Sequence, residues 1–236
     1  MTELKVPIIG YMNSPYHEKF GIPRQPNLVQ VESYIEMLEP YNDLLAFEGI
    51  NEFSHLWLIW QFHDNKHQQD NPKFRPQVRP PRLGGNQKIG VFATRSMYRP
   101  APMGLSVVQL KEVKKFGKSV RVYVTGSDLL NGTPIIDIKP YIQYSDAVRD
   151  AESGYAQNEP ERMRVIWTES AEQQKQDLMK RQKLDGRIVN ELEQVLSLDP
   201  RPAYQNDAER VYGMKFAEFE IKFMVEEYIK IKSIQI

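Results

Sequence analysis

The chain has 236 residues, 31 Lys and Arg against 31 Asp and Glu, and no cysteine. Disulfides, thiolate metal sites and cysteine nucleophiles are therefore excluded, and the first residues lack the pattern of a secretory signal. A hydrophobic content of 41%, with no apolar run of membrane-spanning length, predicts a globular cytoplasmic protein with no membrane partner.

In chain order, Lys5–Tyr11, Leu28–Ile35, His55–Phe62, Ile89–Thr94, Ser106–Val113, Val120–Thr125 and Ile135–Ile138 read as strands. Val120 to Thr125 alternates apolar and polar residues as a half-buried strand does, and Gly117 supplies a turn before it. Strands joined by turn-rich loops with little helix between them predict an antiparallel barrel or sandwich, not a doubly wound nucleotide-binding sheet. Composition changes after Tyr144, and residues 145–165 are polar and irregular, a candidate inter-domain segment. Thr168 can cap a helix with Glu169 and Glu172 in its first turn and Lys180, Arg181 and Lys183 at its end, charges matched to the helix dipole. Gly186 is expected to break that helix, and Ile188, Leu192, Val195 and Leu196 give the next one an apolar stripe. Asp199-Pro200 stops it. Phe219, Ile221, Phe223 and Val225 then alternate, as do Ile229 and Ile231, with Glu226-Glu227 at the turn. The expected division is a mainly β unit over 1–145 and a small α+β domain over 146–236.

Charge is segregated along this chain. Residues 71 to 111 hold eight bases (Lys73, Arg75, Arg79, Arg82, Lys88, Arg95, Arg99, Lys111) and no acid, which leaves 23 bases against 31 acids elsewhere. Such a window raises the potential over one surface and attracts a polyanion. Prolines 76, 80, 81 and 100 restrict the backbone around these arginines, so Arg75, Arg79, Arg82 and Arg99 are expected to contact phosphates. Ile89 to Thr94 reads as a buried strand within the window, which argues against a disordered basic tail.

Local motifs exclude more than they assign. His63 and His67 have the spacing of a helical metal site, but a tetrahedral site needs more ligands, and no metal is expected. Gly84-Gly85 lacks the lysine and spacing of a phosphate loop, and no Rossmann fingerprint is present. Asn131-Gly132-Thr133-Pro134 is a turn with exposed backbone groups just before the strand that carries Asp137, and it can hold a small polar ligand. Arg201, between Pro200 and Pro202, presents a stiffly held guanidinium to a carboxylate or phosphate.

Arg24-Gln25-Pro26 after Ser14-Pro15-Tyr16, Phe53 to Trp57, Arg79 to Gly85, Gly90 to Ser96, Arg99-Pro100, Asp128 to Tyr141 and Asp199 to Tyr204 occur in an order that resembles the TsaA-like/YaeB (TrmO) family. The resemblance covers nearly the whole chain. It implies a non-Rossmann, β-barrel methyltransferase that uses S-adenosylmethionine to methylate the exocyclic nitrogen of N(6)-threonylcarbamoyladenosine, next to the anticodon of tRNA, and that forms homodimers. By the same resemblance, cofactor contacts fall on Gln25, Pro26, Asn27, His63, Asp64, Arg95, Leu105, Gly132, Thr133, Pro134 and Ile135. The nitrogen must lose a proton as it is methylated, and Asp137 and His63 are the candidate bases. Arg95, Arg99 and Arg201 suit the threonyl carboxylate. A non-catalytic RNA-binding module on the same basic surface is the alternative, and S-adenosylmethionine binding discriminates between the two.

Overall fold

The computed structural model describes residues 4–65, 74–201, 205 and 207–236. Six antiparallel strands, β1 (Gly10–Asn13), β2 (Glu32–Met37), β3 (His55–Gln61), β6 (Met103–Phe116), β7 (Ser119–Thr125) and β8 (Pro134–Pro140), close into a barrel in the order β1-β2-β7-β6-β3-β8. Closure leaves no unpaired strand edge among them. Leu56 and Leu58 of β3, Val120, Val122 and Val124 of β7, and Ile35, Val108 and Ile135 point inward at the pleat's period of two and are fully buried. A short hairpin of β4 (Gln77–Val78) and β5 (Ile89–Gly90) stands apart from the barrel.

The second unit is a four-stranded sheet in the order β10 (Tyr212–Phe216), β11 (Phe219–Val225), β12 (Ile229–Gln235), β9 (Val165–Trp167), the last pair parallel. After the short helix α1 (Gln143–Asp146), α2 (Glu169–Lys180) and α3 (Gly186–Ser197) pack on this sheet. Thr168 caps α2, its hydroxyl accepting from the Ala171 N–H, as the sequence predicts. Gly186 does not break α2. That helix ends at Lys180, Gln182 turns the chain at positive φ, and Gly186 opens α3 behind the Asp185 cap.

Three strand expectations change. Of Lys5–Tyr11, only Gly10 and Tyr11 are strand, β1 running Gly10–Asn13, with the Ile9 N–H donating to the Ile135 carbonyl just ahead of it (2.9 Å). Leu28–Val31 does not continue β2 into the barrel. The Gln30 N–H donates to Gln194 of α3 (2.9 Å), the Glu32 N–H to Glu191 of α3 (3.1 Å), and Arg162 donates to the Leu28 carbonyl, while Val29 and Val31 are buried in the second core. Side chains of the second unit thus take backbone groups that a strand neighbour would have taken. Ile89–Thr94 is also not a continuous strand. It pairs only at Ile89–Gly90 and then tightens into a 3-10 turn, Val91–Ala93, closed by the Thr94 hydroxyl on the Val91 carbonyl (2.7 Å). Val91 is buried, whereas Phe92 is 70% exposed.

The β1–β2 connection, residues 14–31, ties the units together. Tyr16, Val29 and Val31 are buried in the second core, with Phe20 and Ile22 packed against it. The Ala217 N–H donates to the Pro15 carbonyl (2.9 Å) and the Lys215 N–H to Glu18 (2.8 Å). Gly21, at φ 91, sits where a Cβ would lie 2.3 Å from Met214 Sδ, so a larger residue there is strained and must push the Met214 side chain aside.

Candidate active site

One end of the barrel gathers the end of β3, the start of β6, the β7–β8 turn and the β1–β2 connection around a cavity of about 510 Å³. Its apolar wall is Trp60, Phe62, Met103 and Leu105. Trp60 and Phe62 meet edge-to-face at 4.4 Å. Trp60 lies over Gly104, its cross-strand partner, where a Cβ would fall 2.2 Å from the ring. That close approach gives Gly104 a physical role.

A polar chain runs from the ring into the cavity. Trp60 Nε1 donates to Ser106 Oγ (3.0 Å), and Ser106 Oγ donates to Asp128 Oδ1 (2.6 Å). Ser106 is fully buried, so its hydroxyl has one direction in which to accept and one in which to donate. Asp128 lines the cavity, and burial pushes its carboxyl up from the ordinary 3.8 to about 6, against the opposing Ser106 hydrogen bond and the Arg95 charge. A carboxyl with that value is mostly ionised at neutral pH and remains able to take a proton. His63 also lines the cavity. Burial lowers its pKa, with Asp64 acting the other way, which favours the neutral ring.

Four cations face this space: Lys19, Arg24, Arg95 and Arg99. Lys19 pairs with Asp64 (3.4 Å), and Arg95 Nη1 donates to Gln25 Oε1 (2.6 Å). Arg99 donates to the carbonyls of Val91 (3.4 Å) and Thr94. Among the described residues no group of His, Asp and Glu could hold a metal ion, and no helix is long and apolar enough to cross a membrane. His67 lies outside the described residues.

The tRNA-methyltransferase O N-terminal domain model matches residues 11–147, and the TrmO C-terminal domain model matches 160–235. The chain belongs to the tRNA-methyltransferase O family. It is 41% identical over 231 residues to the Escherichia coli tRNA (adenine(37)-N6)-methyltransferase, covering 96% of this chain and 95% of that protein. A Pseudomonas aeruginosa relative named for S-adenosylmethionine-dependent methyl transfer is 42% identical over 215 residues, 90% of this chain and 89% of the relative. The crystal structure of TrmO from Pseudomonas aeruginosa superposes with a TM-score of 0.78 at 33% identity, covering 100% of this chain and 99% of that one. The barrel and the small α+β unit are those of this tRNA-methyltransferase O fold, and the non-Rossmann architecture expected from sequence is present.

The structure gathers part of the predicted site set around the cavity of this tRNA-methyltransferase O chain. Gln25, His63, Asp64, Arg95, Arg99, Leu105 and Thr133 line it. Pro26, Asn27, Gly132, Pro134 and Ile135 adjoin those residues in sequence but do not line it. Asn27, at positive φ, donates its N–H to the Gly126 carbonyl and its amide to the Val107 carbonyl, both at 2.9 Å, and so braces the cavity's scaffold. Gly132 sits at φ 79 with its N–H on the Met12 carbonyl, and Ile135 is fully buried in the barrel core. Asp137 is outside the cavity wall, on β8, with its carboxylate on Lys139 (2.8 Å). Its neighbour along the chain, Asp128, is the carboxyl that does face the cavity. Sequence reasoning missed Asp128, because which acid faces inward depends on the barrel's pleat.

Arg75 and Arg79 are exposed on the hairpin side, Arg75 lying over the Tyr98 ring at 5.0 Å, and Arg82 lies on the turn Pro81–Leu83. Arg201 is engaged within its own turn. Its Nε and Nη2 fork the Asp199 carboxylate at 2.8 and 2.9 Å, and its side chain is only 12% exposed.

Proposed function

We propose that this chain transfers a methyl group from S-adenosylmethionine to the exocyclic nitrogen of adenosine 37 of tRNA, with N(6)-threonylcarbamoyladenosine as the nucleoside acted on. The observation that carries the chemistry is a half-buried carboxyl, Asp128, fixed by Ser106 and with its pKa raised by desolvation, in a cavity that aromatic and apolar side chains also line. The donor set suits the cofactor. A volume of about 510 Å³ accommodates a nucleoside-sized ligand, Trp60, Phe62 and Leu105 suit an adenine ring, and an anionic Asp128 is opposite in sign to a sulfonium. Gln25, His63, Arg95, Leu105 and Thr133 would hold it, with the neighbouring backbone of Pro26, Asn27, Gly132, Pro134 and Ile135 shaping the walls. When bound, S-adenosylmethionine supplies an electrophilic methyl group for an in-line displacement.

The chain's own residues have three tasks. Asp128 Oδ takes the proton that the substrate nitrogen loses as its bond to carbon forms, a role we assign to it in place of Asp137. Ser106, itself fixed by Trp60, orients that carboxylate. Neutral His63 fills the polar end of the cavity without adding a positive charge beside the sulfonium. Residues 1–145 are read as the catalytic unit and 146–236 as an aid to tRNA binding, with Arg75, Arg79, Arg82 and Arg99 on phosphates. A cytoplasmic homodimer is the form in which it is expected to act.

The deciding experiment is nucleoside mass spectrometry of tRNA from a strain lacking the protein, before and after incubation with the purified chain and S-adenosylmethionine. Methylated threonylcarbamoyladenosine should be absent before incubation and appear afterwards. Its presence in the deletion strain, or its failure to appear on incubation, removes the assignment.

A further inference from the structure

We infer that Arg24 selects the substrate nucleoside: its guanidinium, held at the cavity by the backbone carbonyl of Arg201, pairs with the carboxylate of the threonylcarbamoyl group. The inference rests on the function proposed above. Threonylcarbamoyladenosine differs from adenosine in carrying a carboxylate, and a cation placed at the cavity's mouth to pair that charge favours the modified nucleoside.

Of the four cations facing the cavity, Lys19 is ion-paired with Asp64, Arg95 donates to Gln25 while its charge acts on the Asp128 carboxyl, and Arg99 reaches back to two carbonyls of its own loop. Arg24 is the one held from the second unit. It is exposed, one Nη donates to the Arg201 carbonyl at 3.2 Å, and among the described residues no carboxylate lies within ion-pair distance of it. A carbonyl orients a guanidinium without neutralising it. One of five N–H donors is used, which leaves an edge able to grip a carboxylate through two hydrogen bonds.

The partner carbonyl is itself fixed. Asp199, at φ 47, accepts from the Arg201 N–H (3.3 Å) and takes both arms of the Arg201 guanidinium. Arg201 is therefore a positioning residue: it spends its charge on closing the turn after α3, and the turn aims Arg24. The second unit thereby reaches the substrate through a backbone oxygen, not through the side chain that the Pro-Arg-Pro motif advertises.

A carboxylate is the shared chemistry of two molecules here, because S-adenosylmethionine also carries one, and the test separates them. Full-length tRNA bearing threonylcarbamoyladenosine is compared with the same tRNA after its threonyl carboxylate, activated by a carbodiimide that leaves as the urea, is coupled to methylamine to give the neutral methylamide. Single-turnover methylation is measured for the unaltered protein, Arg24→Ala and Arg201→Ala, with S-adenosylmethionine affinity by calorimetry. The unaltered protein should prefer the acid by about ten- to a hundredfold. Arg24→Ala should bring that preference close to one, by slowing the acid substrate alone, with cofactor affinity unchanged. Arg201→Ala should narrow the preference as well, whereas loss of a merely structural residue would slow both substrates equally. An unchanged acid preference in Arg24→Ala overturns the inference. So does a loss of cofactor affinity in that variant, which would place Arg24 on the methionyl carboxylate. If the unaltered protein methylates neither tRNA, the proposed function itself has failed, and the inference falls with it.

Discussion

The two cores of this molecule are assembled differently. The barrel core is filled by the barrel's own strands, with Leu129 from the β7–β8 turn. The second core is completed by a borrowed segment: Tyr16, Val29 and Val31, with Phe20 and Ile22 against them, come from the β1–β2 connection far upstream in the chain. That segment has two faces. Tyr16, Phe20 and Ile22 serve the second core, while Lys19, Ile22, Pro23, Arg24 and Gln25 line the cavity at the barrel's end. A wall of the site is therefore held in place by burial in the other unit, and damage to the second core should be felt at the cavity.

The strongest way to break that comparison is Phe223→Ala. Phe223 is fully buried and stacks with Phe20 at 6.2 Å and Tyr212 at 5.6 Å, so truncation should cost about 3–5 kcal/mol in a denaturant titration. If Phe20 anchors the wall, S-adenosylmethionine affinity of the still-folded variant falls too. A destabilised variant with full affinity would show that the wall does not depend on the second core.

Asp128→Asn probes the barrel's side. The Ser106 hydrogen bond survives, since an amide oxygen also accepts, but the proton acceptor is lost, and single-turnover rate should drop about a hundredfold or more. In the unaltered protein kcat/KM should rise with pH through a midpoint of about 6. The stability effect has the opposite sign. Because the folded pKa is raised from 3.8 to about 6, the folded chain binds more protons than the unfolded chain between those values, and ionisation costs stability as pH rises through them. Melting temperatures should show Asp128→Asn more stable than the unaltered protein at pH 8, with the gain vanishing near pH 4. A gain that persists at low pH would mean that Asp128 is not the group titrating.

Gly104→Ala sharpens the contrast by disturbing the cavity from within the barrel. The added methyl must push the Trp60 ring, which holds Ser106 and through it Asp128, at a cost of about 1–3 kcal/mol. Tryptophan fluorescence should shift and the rate should fall, with the second core intact by its own unfolding transition. The smallest effect belongs to the exposed bases. Arg75→Ala and Arg79→Ala should each flatten the salt dependence of tRNA binding by about one in logarithmic slope and leave both cores untouched. An unchanged slope in both would assign these arginines to something other than phosphate.

Local pattern was enough to read most of the elements. Period-two alternation marked β7 and β11 because each buries one face, and Thr168 and the stripe of Ile188, Leu192 and Val195 marked the two long helices because capping and amphipathicity act within a few residues. The acid-free window over 71–111 pointed to a polyanion, and the motif order carried the resemblance from which the family's chemistry was expected. What the sequence could not assign is which partner each ambiguous segment takes. Val29 and Val31 look like strand residues from any local view, but their neighbours' N–H groups go to Glu191 and Gln194, some 160 positions away. Arg201 looks poised for a ligand until Asp199 is seen to hold it, and Arg24 gains its role only because the Arg201 carbonyl lies beside it. Asp128 and Asp137 are equally good carboxylates on paper. Barrel closure alone decides that one is desolvated against the cavity and the other is paired with Lys139 at its edge, because burial and long-range hydrogen bonding are properties of the packed chain and not of any stretch of it.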